Sequence, residues 1–304
     1  MLLDGPVTRL RVRRDAVGRV CGPERERAVQ MLSALVASLG LQHGYSVEVV
    51  TAMPAHAGLG SGTQLALALG AALRRLEGIA PNPRGDASTT ARGSRSGVGI
   101  ALFEHGGLAV DGGRGENREP PPLLARLAVP DAWRVLLVLD PAHQGLSGSV
   151  ERDAFARLPP MSETVTGEIC RLVLTQALPA AAEADLPHFA AAITSVQERL
   201  GDYFAPAQGG RFTSPRVTQA LAALRRLGSP GVGQSSWGPT GFAFARDEAE
   251  AGRLRQALID EGGAGGAAGD AIGGLDIQLR RPLNRGARIE EGPSPWRTST
   301  SCTC

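Results

Sequence analysis

Hydrophobic and polar positions recur along the chain with two periods, and each period predicts a different kind of element. Alternation predicts a strand at 7–13 and a second at 45–51. Apolar residues at helical spacing predict helices 24–39 and 61–77, the second with Ser61 as its N-cap. The other predicted elements are helix 98–104, strand 108–111, a strand buried on both faces at 133–140, helices 161–182, 186–201 and 215–227, strands 231–234 and 242–245, helix 247–260 and strand 275–280.

The character of the sequence changes near residue 155, and this change predicts two domains. We expect an N-terminal domain at 1–155, a C-terminal domain at 156–285 and a disordered tail at 286–304. Two polar segments interrupt the first domain. Segment 81–95 predicts a mobile loop or the rim of a site, and the proline-rich segment 116–122 predicts an exposed connection.

Composition narrows the classes of function. The chain has 32 arginines and no lysine. The absence of lysine excludes a lysine Schiff base, a pyridoxal phosphate enzyme and the lysine-containing Walker A loop. A formal net charge of +2 argues against a dedicated nucleic-acid binder. Apolar runs fall short of the ~18 residues of a membrane span, and the first residues lack a signal-peptide core. The four cysteines have neither disulfide nor zinc spacing. We therefore expect a cytoplasmic protein with no membrane or nucleic-acid partner.

The strongest local pattern is the glycine-rich segment 54–64, which lies between a predicted strand and a predicted helix. Glycines within it permit positive φ and a close approach of the backbone to a ligand. The first amides of the helix are then unpaired donors at its positive end, where a phosphate binds well. The same pattern is also typical of a capped turn. The residues in question are Gly58, Leu59, Gly60, Ser61, Gly62, Thr63 and Gln64.

Two further loops offer polar groups. Segment 92–97 carries the arginines and hydroxyls of Arg92, Ser94, Arg95 and Ser96, which either bind phosphate oxygens or form a solvated loop. Segment 233–241 lies between two apolar strands and either faces a ligand or forms a long hairpin turn. Its candidate residues are Ser235, Ser236, Gly238 and Thr240. Among the five scattered histidines, His105 stands out because it follows Glu104.

Together these loops resemble the motifs of the GHMP kinase superfamily. Pro54 and the segment Gly58-Leu-Gly-Ser-Gly62 are similar to its second motif, and segment 235–241 is similar to its third. Ser96-Gly-Val-Gly99 followed by Gly106-Gly107 matches the spacing of a segment between them. The resemblance covers about residues 5–285. It implies an α+β fold of two domains, an N-terminal domain with a left-handed βαβ crossover and a ferredoxin-like C-terminal domain.

The departures from the kinase pattern concern the groups that transfer a phosphoryl group. The position of the kinase aspartate that assists the attacking hydroxyl is Gly99 here, and the second serine of the phosphate loop is Gly62. No glutamate precedes Ser96 at the usual distance, and Asp86 is the nearest acid. The resemblance thus implies a phosphate-binding loop without the residues that usually assist phosphoryl transfer.

A narrower branch, the β-ribofuranosylaminobenzene 5′-phosphate synthase family, accommodates these departures. Segments 58–64, 92–100, 104–107 and 233–241 resemble it. That family joins phosphoribosyl pyrophosphate to a 4-substituted benzoate in tetrahydromethanopterin biosynthesis, with loss of CO2 and pyrophosphate. We therefore expect segment 58–64 with Arg92 and Arg95 to bind the donor phosphates, and the residues of segment 233–241 to bind phosphate or substrate. We also expect Mg2+ to assist the leaving group, and Glu104 or His105 to assist the proton and carboxylate steps.

Several alternatives stay open at this point. An ATP-dependent small-molecule kinase and a non-catalytic ligand-binding protein of the same fold are the other hypotheses. The acceptor is either 4-hydroxybenzoate or 4-aminobenzoate, and a homodimer is the expected macromolecular partner. Family members usually carry a strand before the residues that match Leu3–Pro6, so we expect the first strand of the N-terminal domain to be missing.

Overall fold

The N-terminal half is built on a small sheet covered by two helices. The computed structural model describes residues 1–113, 115, 119–143, 145, 153–154, 156–263 and 272–292. Its first elements are β1 (Arg9–Arg14), β2 (Arg19–Cys21), α1 (Arg25–Ser38), β3 (Tyr45–Thr51) and α2 (Ser61–Glu77). The strand order is β1-β3-β2, with β1 antiparallel and β2 parallel to β3. A β2–α1–β3 crossover is therefore present, and its predicted hand stays a prediction.

The predicted apolar stripes of α1 and α2 pack on this sheet. Leu35 of α1 and Leu65, Leu69 and Leu73 of α2 are buried with Val47 of β3 in one cluster. Residues three and four apart share one face of a helix, so each helix presents a continuous apolar surface to the sheet. The carboxyl end of β3 and the amino end of α2 are thereby fixed on either side of the glycine-rich loop.

About half of segment 81–95 is helical, so the expectation of a loop is wrong for that half. Helix α3 (Pro83–Thr89) begins after Asn82, whose side chain accepts a hydrogen bond from Gly85 N at 2.9 Å. Its Asp86 is buried and pairs with Arg74 of α2 at 2.8 Å. The ion pair holds α3 against α2, and only residues after Thr89 remain available as a rim.

A hairpin follows α4 (Val98–His105) and consists of β4 (Leu108–Asp111) and β5 (Leu123–Leu127). The sequence predicted β4 but not β5, because the adjacent leucines Leu123 and Leu124 of β5 are both exposed and interrupt any alternation. Residues 116–118 of the predicted exposed connection lie outside the described residues. Pro120 and Pro121 are buried, and their carbonyls accept hydrogen bonds from Arg84. At those two residues the expectation of exposure is wrong.

The C-terminal half contains an antiparallel sheet with the strand order β7-β8-β6-β9. Its strands are β6 (Arg134–Leu139), β7 (Val232–Gln234), β8 (Gly241–Ala245) and β9 (Asp276–Arg280). The helices are α5 (Glu163–Leu172), α6 (Leu178–Ala182) after a π-helical turn at Val173–Ala177, α7 (Leu186–Gln208), α8 (Pro215–Arg226) and α9 (Glu248–Gly263). Strands and helices follow the βαββαβ order of a ferredoxin-like unit, as predicted.

Strand β6 belongs to this second sheet although it precedes residue 155. Its edges are hydrogen-bonded to β8 and β9. Its two faces pack in different clusters, Leu136 and Val138 in one and Val135, Leu137 and Leu139 in the other, and this burial explains the continuous apolar run. The ferredoxin-like sheet therefore begins before the predicted domain boundary, and residue 155 itself lies outside the described residues.

The two ends of the described chain lie against the hairpin and α4. Leu2 N donates to Gly107 O at 2.8 Å, and Leu283 N donates to Leu2 O at 3.0 Å. Ala287 N donates to Phe103 O at 2.7 Å, so residues 286–292, predicted to be disordered, start along α4. Residues 293–304 of the predicted tail lie outside the described residues. Within the described chain, no helix is both long enough and apolar enough to span a bilayer.

Candidate active site

The glycine-rich loop 54–60 turns through left-handed backbone at Gly58 (φ 76°) and Gly60 (φ 75°). The first amide that bonds within α2 is that of Gln64, which donates to Gly60 O at 3.1 Å. The amides of residues 61–63 therefore precede the helical ladder, and the N-cap is Gly60, which has no side chain to accept from them. Ser61 is the first helical residue and does not cap α2. The unpaired amide donors are those of residues 61–63, because the Gln64 amide already bonds within the helix.

The loop after β7 packs directly on this turn. Ser235 Oγ donates to Gly58 O at 2.8 Å. A Cβ on Gly58 would lie 2.0 Å from Ser235 O, and one on Gly238 would lie 2.1 Å from Ala57 C and Gly58 N. The backbones of two predicted loops thus touch where neither carries a side chain. Leu59 packs against the buried cluster formed by β6, α6 and α7, which ties the glycine-rich loop to the C-terminal half.

The other predicted residues of this loop differ in exposure. Ser236 is exposed with φ 55°, whereas Thr240 is fully buried. Thr240 Oγ1 has no hydrogen-bond partner among the described residues, and the Thr240 carbonyl accepts from Ser235 N at 2.9 Å. Thr240 therefore stabilises its own loop through its carbonyl group. Ser235 and Gly238 are the residues that contact the glycine-rich loop.

Two arginine side chains lie over the start of α2. A Cβ on Gly62 would lie 2.4 Å from Arg27 Nη2 and 3.1 Å from Arg92 Cζ. Arg27 comes from α1, where it also pairs with Glu24 at 2.6 Å, and Arg92 comes from the segment after α3. A cavity of about 220 Å³ between α1 and that segment is lined by both arginines. Guanidinium groups beside a helix N-terminus form a site for an anion.

The sequence identified Arg92 but missed Arg27. Arg27 is one of several charged residues of α1, and no local motif distinguishes it from Arg25 or Glu26. The glycine at position 62 is the signal that could have found it, because a glycine inside a predicted helix indicates close approach by another group.

The turn before α4 is held by a residue that the sequence analysis also missed. Asp111 of β4 accepts hydrogen bonds from Ser96 Oγ at 2.8 Å, Gly97 N at 2.6 Å and Val98 N at 3.2 Å. Asp111 therefore caps α4, and Ser96 is used in this cap. The next turn meets α2, where Gln64 Nε2 donates to Gly99 O at 2.9 Å. Ser94 and Arg95 are exposed.

Glu104 and His105 are not brought to this site. Both side chains are exposed at the carboxyl end of α4, whereas the amino end of α4 touches Gln64. Five residues of helix separate Gly99 from Glu104, a rise of about 8 Å. The His105 carbonyl accepts from Arg126 at 2.9 Å, so this end of α4 has a structural contact. The geometry does not support the predicted catalytic pair.

Acidic groups elsewhere are engaged in folding contacts. Asp86, the nearest acid that precedes Ser96 in sequence, is held by Arg74. Hydrogen bonds from Arg14 and Tyr45 lower the pKa of Glu77 to about 2, and burial together with Glu77 raises the pKa of Tyr45 to about 12. That cluster lies at the carboxyl end of α2, opposite the glycine-rich loop. Among the described residues, no group of three His, Cys, Asp or Glu side chains converges as a metal site.

Comparison with known proteins first gives the class. Residues 26–107 match the GHMP kinases N terminal domain, and residues 177–264 match the family described as GHMP kinases C terminal. The chain shares its fold with homoserine kinase from Cytophaga hutchinsonii at a TM-score of 0.64 and 18% identity, covering 93% of this chain and 89% of that one. L. major mevalonate kinase gives a TM-score of 0.65 at 15% identity, covering 90% and 86%. The chain has the α+β fold of the GHMP kinase superfamily.

Two curated relatives then define the family more closely. Beta-ribofuranosylphenol 5′-phosphate synthase from Archaeoglobus fulgidus is 36% identical over 231 residues, which is 71% of this chain and 69% of that protein. The protein of the same name from Methanothermobacter thermautotrophicus is 26% identical over 284 residues, or 90% and 82%. The chain belongs to this family of pentosyltransferases.

Proposed function

We propose that this protein transfers the ribosyl 5-phosphate group of phosphoribosyl pyrophosphate to 4-hydroxybenzoate, with release of CO2 and pyrophosphate. The convergence of Arg27 and Arg92 on the start of α2 is the observation that carries the proposal. The name of the relatives supports the choice of acceptor, because a ribofuranosylphenol arises from the hydroxybenzoate and not from the aminobenzoate. We place the reaction in tetrahydromethanopterin biosynthesis in the cytoplasm.

The donor is the more highly charged substrate, and the arginine-lined start of α2 suits it. Amides of residues 61–63 donate to its phosphate oxygens, and Arg27 and Arg92 supply charge-assisted hydrogen bonds. Each such bond contributes about 1.5–3 kcal/mol. Stabilising the pyrophosphate as its negative charge grows lowers the barrier to its departure.

The bond changes need no general base at the position of Gly99. The C1–O bond of the donor breaks, and pyrophosphate leaves with the electron pair. The ring carbon that bears the carboxylate then forms a bond to C1. The carboxylate departs as CO2, and its bonding electrons restore the aromatic ring. No proton leaves this carbon, so the exposure of Glu104 and His105 is compatible with turnover.

We propose that Mg2+ accompanies the donor. Mg2+ is usually bound through substrate phosphates, several waters and one or two carboxylates. When bound, it neutralises charge on the leaving group. Thr63, the residue after Gly62 in α2, would supply a hydroxyl ligand, and donor phosphate oxygens and water would supply the others.

The test is incubation with phosphoribosyl pyrophosphate and 4-hydroxybenzoate labelled in its carboxyl group, with Mg2+. Labelled CO2 and pyrophosphate in equal amounts support the proposal. ADP formation from ATP and a panel of alcohols supports a kinase instead, and donor binding without product supports a non-catalytic protein. Arg27→Ala and Arg92→Ala should each lower turnover at least tenfold. Arg25→Ala is the matched control, because Arg25 is exposed on the same helix.

A further inference from the structure

A second cavity, of about 230 Å³, lies on the other side of the loop that covers the glycine-rich turn. It opens between α7 and the residues that follow α7 and β7. The side chains that matter for its chemistry are Leu200, Phe204, Phe212, Trp237, Gln197 and Arg211. None of these residues contributes to the donor site described above.

The walls of this cavity suit a flat aromatic ring. Phe204 and Trp237 meet edge to face, with ring centroids 4.8 Å apart and planes at 88°. Leu200 and Phe212 complete the apolar surface. An apolar cavity of about 150 Å³ binds benzene. This larger cavity therefore has room for a benzene ring with two small substituents.

The side-chain amide of Gln197 in the cavity wall can donate a further hydrogen bond. Gln234 is fully engaged, because its Oε1 accepts from Thr213 N at 2.6 Å and its Nε2 donates to Ser236 O at 2.9 Å. Gln197 Oε1 accepts from Gln234 N at 3.3 Å, and Gln197 Nε2 has no hydrogen-bond partner among the described residues. A neutral amide donor suits a hydroxyl or an amine.

The charge balance argues that a carboxylate would point away from this wall. Arg211 is the cation of the cavity, and it already pairs with Asp202 through two hydrogen bonds of 2.7 and 2.9 Å. Glu198 lies 3.8 Å from the same guanidinium. A third carboxylate gains little there. A benzoate therefore enters with its para substituent inward and its carboxylate toward the mouth.

The loop that lines this cavity also contacts the glycine-rich turn. Ser236 and Trp237 line the cavity, while their neighbours Ser235 and Gly238 touch Gly58. The cavity and the turn that precedes the donor site thus share one loop. For the bond to form, the ring carbon that bears the carboxylate must lie at the mouth, on the side of this loop where C1 of the donor can reach it.

We infer that this cavity binds the benzene ring of the acceptor, with the para substituent at Gln197. The inference rests on the proposed function and adds the residues that select the acceptor. Phe204 and Trp237 form the aromatic wall on which the ring packs, and Gln197 distinguishes a benzoate with a polar para group from one without it.

Filling the cavity tests the inference. Leu200→Trp should raise the KM for 4-hydroxybenzoate at least tenfold and leave the KM for phosphoribosyl pyrophosphate within twofold of wild type. Leu174→Trp is the control, because Leu174 is 59% exposed and lies in the π-helical turn. If Leu200→Trp leaves the acceptor KM unchanged, or raises both KM values equally, the acceptor does not bind here.

Direct binding separates this inference from the proposed function. Wild-type protein without donor should bind 4-hydroxybenzoate about tenfold more tightly than benzoate, a difference worth one hydrogen bond. The signal is quenching of tryptophan fluorescence, which Trp237→Phe should remove. Gln197→Met should abolish the preference, with thermal unfolding as a check of folding. Equal binding of both benzoates by wild type refutes the role of Gln197. Absence of product with binding intact refutes the proposed function alone.

Discussion

A methyl group at Gly62 should weaken donor binding without weakening the fold. Gly62 is the second residue of α2, and the space where its Cβ would stand is taken by Arg27 Nη2 at 2.4 Å and by Arg92 Cζ at 3.1 Å. In Gly62→Ala, the Arg27 guanidinium must retreat by about 1 Å to reach ordinary contact distance. It is the far end of a flexible side chain, so the backbone need not move.

The two consequences have opposite signs. Alanine is favoured over glycine within a helix by up to about 1 kcal/mol, so stability should stay level or rise slightly. Displacing Arg27 removes one charge-assisted hydrogen bond to the donor, worth about 1.5–3 kcal/mol. Since 1.4 kcal/mol is a factor of ten, the Kd for pyrophosphate should rise about 10- to 100-fold.

Isothermal titration calorimetry with pyrophosphate and with phosphoribosyl pyrophosphate measures the binding term, and urea denaturation measures the stability term. Gly252→Ala is the matched control, because Gly252 lies within α9 with no atom within 4 Å of its Cβ position. It should share the gain in stability and bind pyrophosphate normally. If Gly62→Ala also binds pyrophosphate within twofold of wild type, Arg27 and Arg92 do not hold the donor.

Two further predictions concern stability. Asp86→Asn should lower the free energy of unfolding by about 3 kcal/mol, because it leaves the Arg74 side chain, which is only 11% exposed, without its counter-charge. A urea midpoint equal to that of wild type would contradict this. Glu77 has a folded pKa of about 2, against an ordinary value of 4.5, because Arg14 and Tyr45 hydrogen-bond its carboxylate. Its stabilisation should be complete above pH 4.5 and lost as the pH falls toward 2. Glu77→Gln should remove that part of the acid dependence, and identical acid profiles for both proteins would show that the cluster contributes nothing.

Local periodicity predicts elements whose stability is decided locally. Helix α2 and strand β3 have the bounds that their apolar spacing predicts, because each presents one face to the same core. Helix α3 was not predicted, because its glycine, proline and serine residues are poor helix formers. It is held by the Asn82 cap, which is local, and by the pairing of Asp86 with Arg74 of α2, which the sequence does not display. Tertiary contacts override propensity here.

Strand β6 shows the same limit at the level of domains. Its apolar run correctly predicts a strand buried on both faces. Its partners β8 and β9 lie more than a hundred residues further along the chain, and local sequence patterns do not show that pairing. The change in composition near residue 155 therefore marks the start of the helices of the C-terminal half, whereas the sheet of that half begins earlier, with β6.

Two of the departures from the kinase motifs, Gly62 and Gly99, both lie at the first turn of α2, which sequence spacing could not reveal. Gly62 admits the guanidinium groups of Arg27 and Arg92 to the start of α2. A Cβ on Gly99 would lie 3.1 Å from Thr63 Cγ2, so this glycine lets α4 approach the same turn of α2. The positions where kinases carry a hydroxyl and an acid are thus filled by cations and by close packing. That exchange suits a reaction in which an anionic leaving group must be held and no hydroxyl must be deprotonated.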